Sequence, residues 1–263
     1  MTEQSVIKGG RMKTIICLLS ILLTPLFAIA DLSDSQQIME KVNQIMCPET
    51  SKMTSKMLVK TSMGNDRIFE SITYTMNGGE KTLIKYLSPV QVKDQTTLML
   101  NNADDIWTYF PRTRRIRKLA SHAKKQKIQG SDFSYEDMGS GNSWLEEFDS
   151  KLLKEEKIND KECYVLELIP NSKSHSHYSK MILFVSKDNY YPIKINYFQE
   201  DDNTLLEKTL TSENIVEIQG IPTAMKMTMV NQMDQSETII ETDEVEYNLE
   251  LKEELFTQRG MKK

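Results

Sequence analysis

Arg67-Ile-Phe-Glu-Ser-Ile-Thr-Tyr-Thr-Met76, followed by Asn77-Gly78-Gly79 and the returning strand 80–87, is the stretch that decides the fold class. Ile68, Ile72, Tyr74 and Met76 fall on one side of an extended chain and Ser71, Thr73 and Thr75 on the other, the period of two that marks a strand. Asn-Gly-Gly supplies residues that tolerate positive φ, so the chain turns back as a hairpin. Working outward, the same signal predicts strands over 95–100, 106–110, 152–158, 163–169, 180–185, 192–199, 205–213, 223–230 and 238–247. In one of these, Tyr191, Ile193, Ile195 and Tyr197 share a face. Residues 35–46 instead carry Ile38, Val42, Ile45 and Met46 at helical spacing, with Ser33 or Asp34 to cap the start and Pro48 to end the run.

The connections are short, which favours antiparallel meander links over βαβ crossovers. Glycine is sparse, so the pairs Asn159-Asp160, Asp188-Asn189 and Asp202-Asn203 serve as turns. The fold class read from this is α+β, mainly β: a single strongly curved antiparallel sheet with a few helices covering the open side. The chain has 263 residues, enough for a sizeable core. A net charge of −5 argues against nucleic acid as a partner. Methionine is in excess, 16 residues where about six or seven would be usual.

The first 30 residues read as a secretion signal. Lys8, Arg11 and Lys13 precede an apolar run over 14–27, and Ala28-Ile29-Ala30 is a small-x-small cleavage site. Cleavage after Ala30 removes those three cations and Glu3, leaving 30 basic and 37 acidic residues, a net charge of −7, and 14 of the methionines. Residues 31–263 then form one domain outside the inner membrane. That chain keeps Cys47 and Cys163, either as one disulfide or as two buried thiols.

The centre of the chain is different. Trp107-Thr-Tyr109-Phe-Pro111 leads into a basic block of Arg112, Arg114, Arg115, Arg117, His122, Lys124, Lys125 and Lys127, with no acid between Asp105 and Asp132. Gly130-Ser131-Asp132-Phe133-Ser-Tyr135-Glu136-Asp137 follows directly. This order of motifs resembles the outer-membrane lipoprotein-sorting-like proteins, relatives of the periplasmic lipoprotein carrier LolA. Where that family carries a Gly after Ser-Pro-x-x-Val-Lys, this chain has Asp94-Gln95. The resemblance implies an incomplete β-barrel plugged by helices and an apolar interior that holds lipid or lipoprotein acyl chains in the periplasm. It also implies a link with an inner-membrane transporter of the resistance-nodulation-division (RND) or MMPL type.

The residue chemistry is compatible with such cargo. Methionine is unbranched and polarizable, so it repacks around different apolar shapes. Met225, Met227 and Met229 alternate on one strand and face one side of the sheet; together with Met76, Met99, Trp107, Tyr109, Phe133 and Tyr135 they are the candidate cavity residues. Met57, Met63 and Met181 also lie in or beside strands. The bland alternative is that all of these fill a core. Arg112, Arg114, Arg115 and Arg117 are candidates for contact with an anionic headgroup or an acidic partner surface, with a solvated strand edge as the bland reading. Asp132, Glu136 and Asp137 are expected to pair with arginines of the block and pin the loop, letting Phe133 and Tyr135 enter the interior. His175 and His177 read as surface residues, since two imidazoles do not define a zinc site. No nucleophile, phosphate-loop or dinucleotide motif is present, so no catalytic residue, metal or cofactor is expected. The function expected is a monomeric carrier; a lipid-sensing regulatory or adaptor module on the same fold is the alternative.

Overall fold

The computed structural model describes residues 34–61 and 64–263. The secretion signal, Ser33 and Met63 lie outside them. A helix, α1 (Asp34–Met46), is followed by thirteen strands: β1 (Thr50–Lys60), β2 (Arg67–Met76), β3 (Lys81–Ser88), β4 (Thr96–Leu100), β5 (Asp105–Phe110), β6 (Arg115–Lys118), β7 (Phe148–Ile158), β8 (Lys161–Pro170), β9 (Lys180–Ser186), β10 (Pro192–Phe198), β11 (Leu206–Ile218), β12 (Ile221–Asn231) and β13 (Ser236–Tyr247). Between β6 and β7 lie two short helices, α2 (Tyr135–Gly139) and α3 (Trp144–Glu147), together with 3-10 turns at Ser121–Lys125 and Ile128–Gly130.

All thirteen strands join one antiparallel sheet in the order β6-β5-β4-β3-β2-β1-β13-β12-β11-β10-β9-β8-β7. Its first and last members, β6 and β7, do not pair, so the barrel is left open. The segment 119–147 that connects these two rims carries α2 and α3 and the 130–137 motif. β1, a mixture of Lys, Ser and Met with no clean alternation, is nonetheless central, paired with β2 on one side and β13 on the other.

Both wings of the sheet contribute to one core, which is why the sheet must curl. Met57, Phe69, Ile84 and Met99 from one wing and Leu166, Leu183, Ile195 and Met229 from the other pack with Ile38, Met39 and Val42 of α1 and with Phe133 of the connecting segment. Val42 is fully buried, and burial of such a side chain contributes about 1.5–3 kcal/mol. The opposite face is covered separately. Met76, Leu83 and Leu98, flanked by Trp107 and Tyr109, lie under Phe256 and Met261 of the C-terminal segment.

Turn chemistry follows the sequence. Asn77, Gly78 and Gly79 all take positive φ, and Asn159 and Asp160 do the same in the β7–β8 turn. Asp94, standing where the resembling family has glycine, takes φ +62 and supplies the left-handed residue itself. One expected face is broken. Ile195 and Tyr197 join the inner core, but the β9–β10 register shifts between Pro192 and Lys194. Ile193 is the extra residue of this bulge, and it packs with Cys163 and Phe184 in an outer cluster. Cys47 and Cys163 are free thiols.

Candidate functional site

The 130–137 motif is a plug tied to the sheet at many points. Gly130 takes φ +69 and sits so close to Arg67 that a Cβ would fall 2.8 Å from the guanidinium, which donates to the Gly130 carbonyl. The Asp132 carboxylate, 2% exposed, accepts from Lys127 at 2.9 Å, from the Ser236 hydroxyl at 2.6 Å and from Thr238 Oγ1 at 2.8 Å. Ser134 caps α2, its hydroxyl accepting from the Asp137 N–H while the Asp137 carboxylate accepts from the Ser134 N–H. Phe133 enters the inner core and Tyr135 packs against it.

Asp137 is the centre of the polar network. Lys208 of β11 donates to it at 2.6 Å, both side chains being 2% exposed, and the Tyr178 hydroxyl donates at 2.7 Å. The Lys208 ammonium also donates to the Asp132 carbonyl and lies over the rings of Tyr178 and Tyr197. Burial works against ionisation of Asp137, but the Lys208 charge and the donated hydrogen bonds outweigh it and hold the carboxyl below the usual range. Burial and then the nearby Asp137 and Glu136 carboxylates drive the Tyr178 and Tyr197 hydroxyls well upward, so both stay neutral. Glu136 accepts from the Ser176 hydroxyl and makes a short contact with His177 Nδ1. These acids therefore do not pair with the arginine block. Their partners are Lys127, Lys208 and His177. His177 is mostly buried against the plug, while His175 is exposed.

Beside the plug is a cavity of about 250 Å³. α1 and the plug form one wall with Met39, Val42, Met46, Met138 and Trp144; the sheet forms the other with Ser51, Met53, Thr75, Thr82, Ala224 and Met227. It lies where β12 parts from β13. Their pairing stops at Lys226 and Glu241, although β13 continues along β1 to Tyr247. Gln219 bridges the gap, its side-chain amide accepting from the Tyr247 N–H and donating to the Tyr247 carbonyl. Burial pushes the Cys47 thiol, also in the lining, up to about 12, so it stays protonated.

The candidate cavity residues are not brought together. Met227 lines the cavity. Met229 and Met99 are fully buried in the inner core. Met225 is half-buried outside the lining. Met76, Trp107 and Tyr109 are on the opposite face under the C-terminal segment, because alternation sends Leu98 and Trp107 outward where Met99 and Ile106 point inward. Arg112, Arg114, Arg115 and Arg117 are all exposed on the β6 rim and its turn. Among the described residues none of the four makes an ion pair; Arg117 lies over the Phe110 ring. Lys208, Thr238 and Tyr178 were not marked by any motif. The available signal was parity: Lys208 shares a face with the inward Leu210, and an inward lysine requires a buried acid. Among the described residues no group of three or more His, Cys, Asp and Glu is placed to hold a metal ion, and no helix is long and apolar enough to cross a membrane.

A family model described as "uncharacterized protein" matches residues 78–263. No curated protein matches the sequence. Among solved structures, one described as an outer-membrane lipoprotein-sorting protein domain from Vibrio parahaemolyticus has a TM-score of 0.79 and 26% identity, covering 87% of this chain and 98% of that one. A DUF1329 family protein from Desulfovibrio piger has a TM-score of 0.79 at 24% identity, over 86% and 97% of the two chains. A LolA superfamily protein from Nitrosomonas europaea has a TM-score of 0.72 at 21% identity, over 86% and 99%. An open thirteen-stranded barrel, a plug in the connection between its rims, and these matches lead to one assignment: the chain belongs to the uncharacterized family that matches residues 78–263, and it carries the fold of the lipoprotein-sorting, LolA-like proteins.

Proposed function

We propose that the chain is exported, cleaved after Ala30, and acts in the periplasm as a monomeric, single-domain carrier that takes acyl chains of lipids or lipoproteins into its cavity without covalent chemistry. The observation that carries this reading is the composition of that cavity: five methionines, Met39, Met46, Met53, Met138 and Met227, meet around it from α1, β1, α2 and β12. A wall that repacks suits cargo of varied shape, whereas branched residues would fix one packing. At about 250 Å³ the cavity is below the 300–1,000 Å³ usual for ligand sites, so loading requires the α1 and plug wall to shift outward. Such a carrier takes part in outer-membrane lipoprotein or lipid sorting and is no enzyme. The four unpaired arginines of the β6 rim are suited to an anionic headgroup or to an acidic surface on an RND- or MMPL-type transporter.

Native mass spectrometry of gently purified mature protein should reveal co-purified lipid, and a fluorescent acyl probe should enter the cavity. Met227→Leu should weaken the probe by about threefold, the scale of a volume-conserving apolar swap, while Met225→Leu leaves it unchanged. No lipid and no probe uptake would sink the carrier reading; equal effects of the two variants would remove this cavity from it.

The exposed arginines also favour a second reading, an adaptor that senses lipid and signals to a membrane partner. A stable complex whose affinity changes with lipid, and weakens when Arg112, Arg114, Arg115 and Arg117 are neutralised, would favour it over carriage.

A further inference from the structure

The cavity's walls say which part of a lipid it accepts. Among the described residues no Lys, Arg or His lines it, and the one carboxylate there, Asp137, has both oxygens engaged by Lys208, Tyr178 and the Ser134 N–H. An anion entering here would lose water and meet no counter-charge, and a cation would find no free acid; either transfer is strongly unfavourable. The cavity is not uniformly apolar, however. The sheet wall presents Ser51 and Thr75, whose hydroxyls share a 2.6 Å bond. That bond uses one of the two protons and leaves the other for an acceptor. Thr223, by contrast, is committed to the Ile221 carbonyl at 3.0 Å and to the Tyr247 hydroxyl at 2.9 Å.

Resting on the carrier reading above, we infer that the ligand is an uncharged acyl chain carrying a carbonyl, an ester or amide of a fatty acid, and that free fatty acid anions are rejected. The methionines take the alkyl chain and the Ser51–Thr75 pair donates to the carbonyl.

The test is competition against a bound fluorescent acyl probe at about pH 8, where a carboxylic acid is ionised, using methyl oleate and oleate. Methyl oleate should compete at least about tenfold more strongly, a difference of about 1.4 kcal/mol. Met46 is 38% exposed at the end of α1 where it borders the cavity, so Met46→Lys adds a cation there without disturbing the core. It should raise oleate affinity about fivefold while lowering that of methyl oleate, because Met46 is itself one of the cavity methionines, so the preference for the ester narrows by at least about fivefold. Equal competition by oleate and its ester in the natural protein, or an oleate affinity unmoved by M46K, overturns the inference while leaving the carrier reading intact. Failure of the probe itself to bind overturns the carrier reading and the inference with it.

Discussion

Replacing Lys208 by Met should destabilise the protein by about 3–5 kcal/mol, the cost of leaving a buried charge without its partner. The Asp137 carboxylate is 2% exposed. Thermal or urea unfolding measures the loss. The double variant Lys208→Met with Asp137→Asn should recover a large part of it, because an apolar and a neutral group no longer oppose each other, and a non-additive cycle is the signature of a direct pair. If the single and double variants lose stability equally, the pair is not the source. The pH dependence has a definite sign. The folded-state pKa of Asp137 is below its unfolded value, so the stabilisation it contributes is present above the ordinary carboxylate range and is lost as pH falls through the lowered folded value. In K208M the dominant charge that lowers this pKa is gone, burial then raises it, and acid should cease to destabilise through this group.

The second large effect concerns the seat of the plug. Gly141 takes φ +47, and a Cβ there would lie 2.6 Å from the Gly79 carbonyl carbon; one on Gly79 would lie 2.8 Å from the Gly141 Cα. Backbone meets backbone at this contact, so no side chain can move aside. Gly141→Ala should cost about 2–5 kcal/mol, combining left-handed strain with overpacking. Both glycines border the cavity, so the lost contact should also loosen its wall. The expected result is a lower Tm together with increased uptake of an acyl probe by the fraction that remains folded. Gly64→Ala, at φ +73 in open space, is the control: it carries the strain without the clash and should leave probe uptake alone. Unchanged uptake in G141A would separate the plug's seating from access to the cavity.

The architecture was legible in the sequence because most strands have one face in a core and one in water. Residues 67–76 were read with the bounds they have, and the hairpin at Asn77-Gly78-Gly79 followed from residues that accept positive φ. β1 was not legible as a strand: its inward row of Ser51, Met53, Ser55, Met57 and Val59 mixes hydroxyls with apolar groups, and Lys52, Lys56 and Lys60 interrupt the outward row. Alternation also could not say which side faces the core. In β2 the inner face is Phe69, Ser71, Thr73 and Thr75, and the more hydrophobic row of Ile68, Ile72, Tyr74 and Met76 faces outward, partly under the C-terminal segment. That inversion displaced Met76, Trp107 and Tyr109 from the candidate site. The 130–137 motif announced an anchored loop, but apart from the nearby Lys127 its anchors Ser176, Lys208 and Thr238 are separated from it by 40 to more than 100 residues. Nothing local marks those positions as its partners.

The unpaired rims have a mechanical consequence. A closed barrel has its girth fixed by strand number and shear. This sheet is a split ring, since β6 and β7 are not hydrogen-bonded to each other. Its bore is therefore set by what is wedged inside and by the tethers that hold the wedge: Asp132 to β13, Asp137 to β11 and Glu136 to the β8–β9 loop. Anything that displaced the wedge would widen the ring without breaking a single strand ladder, and the stopper is covalently joined to both lips of the slit.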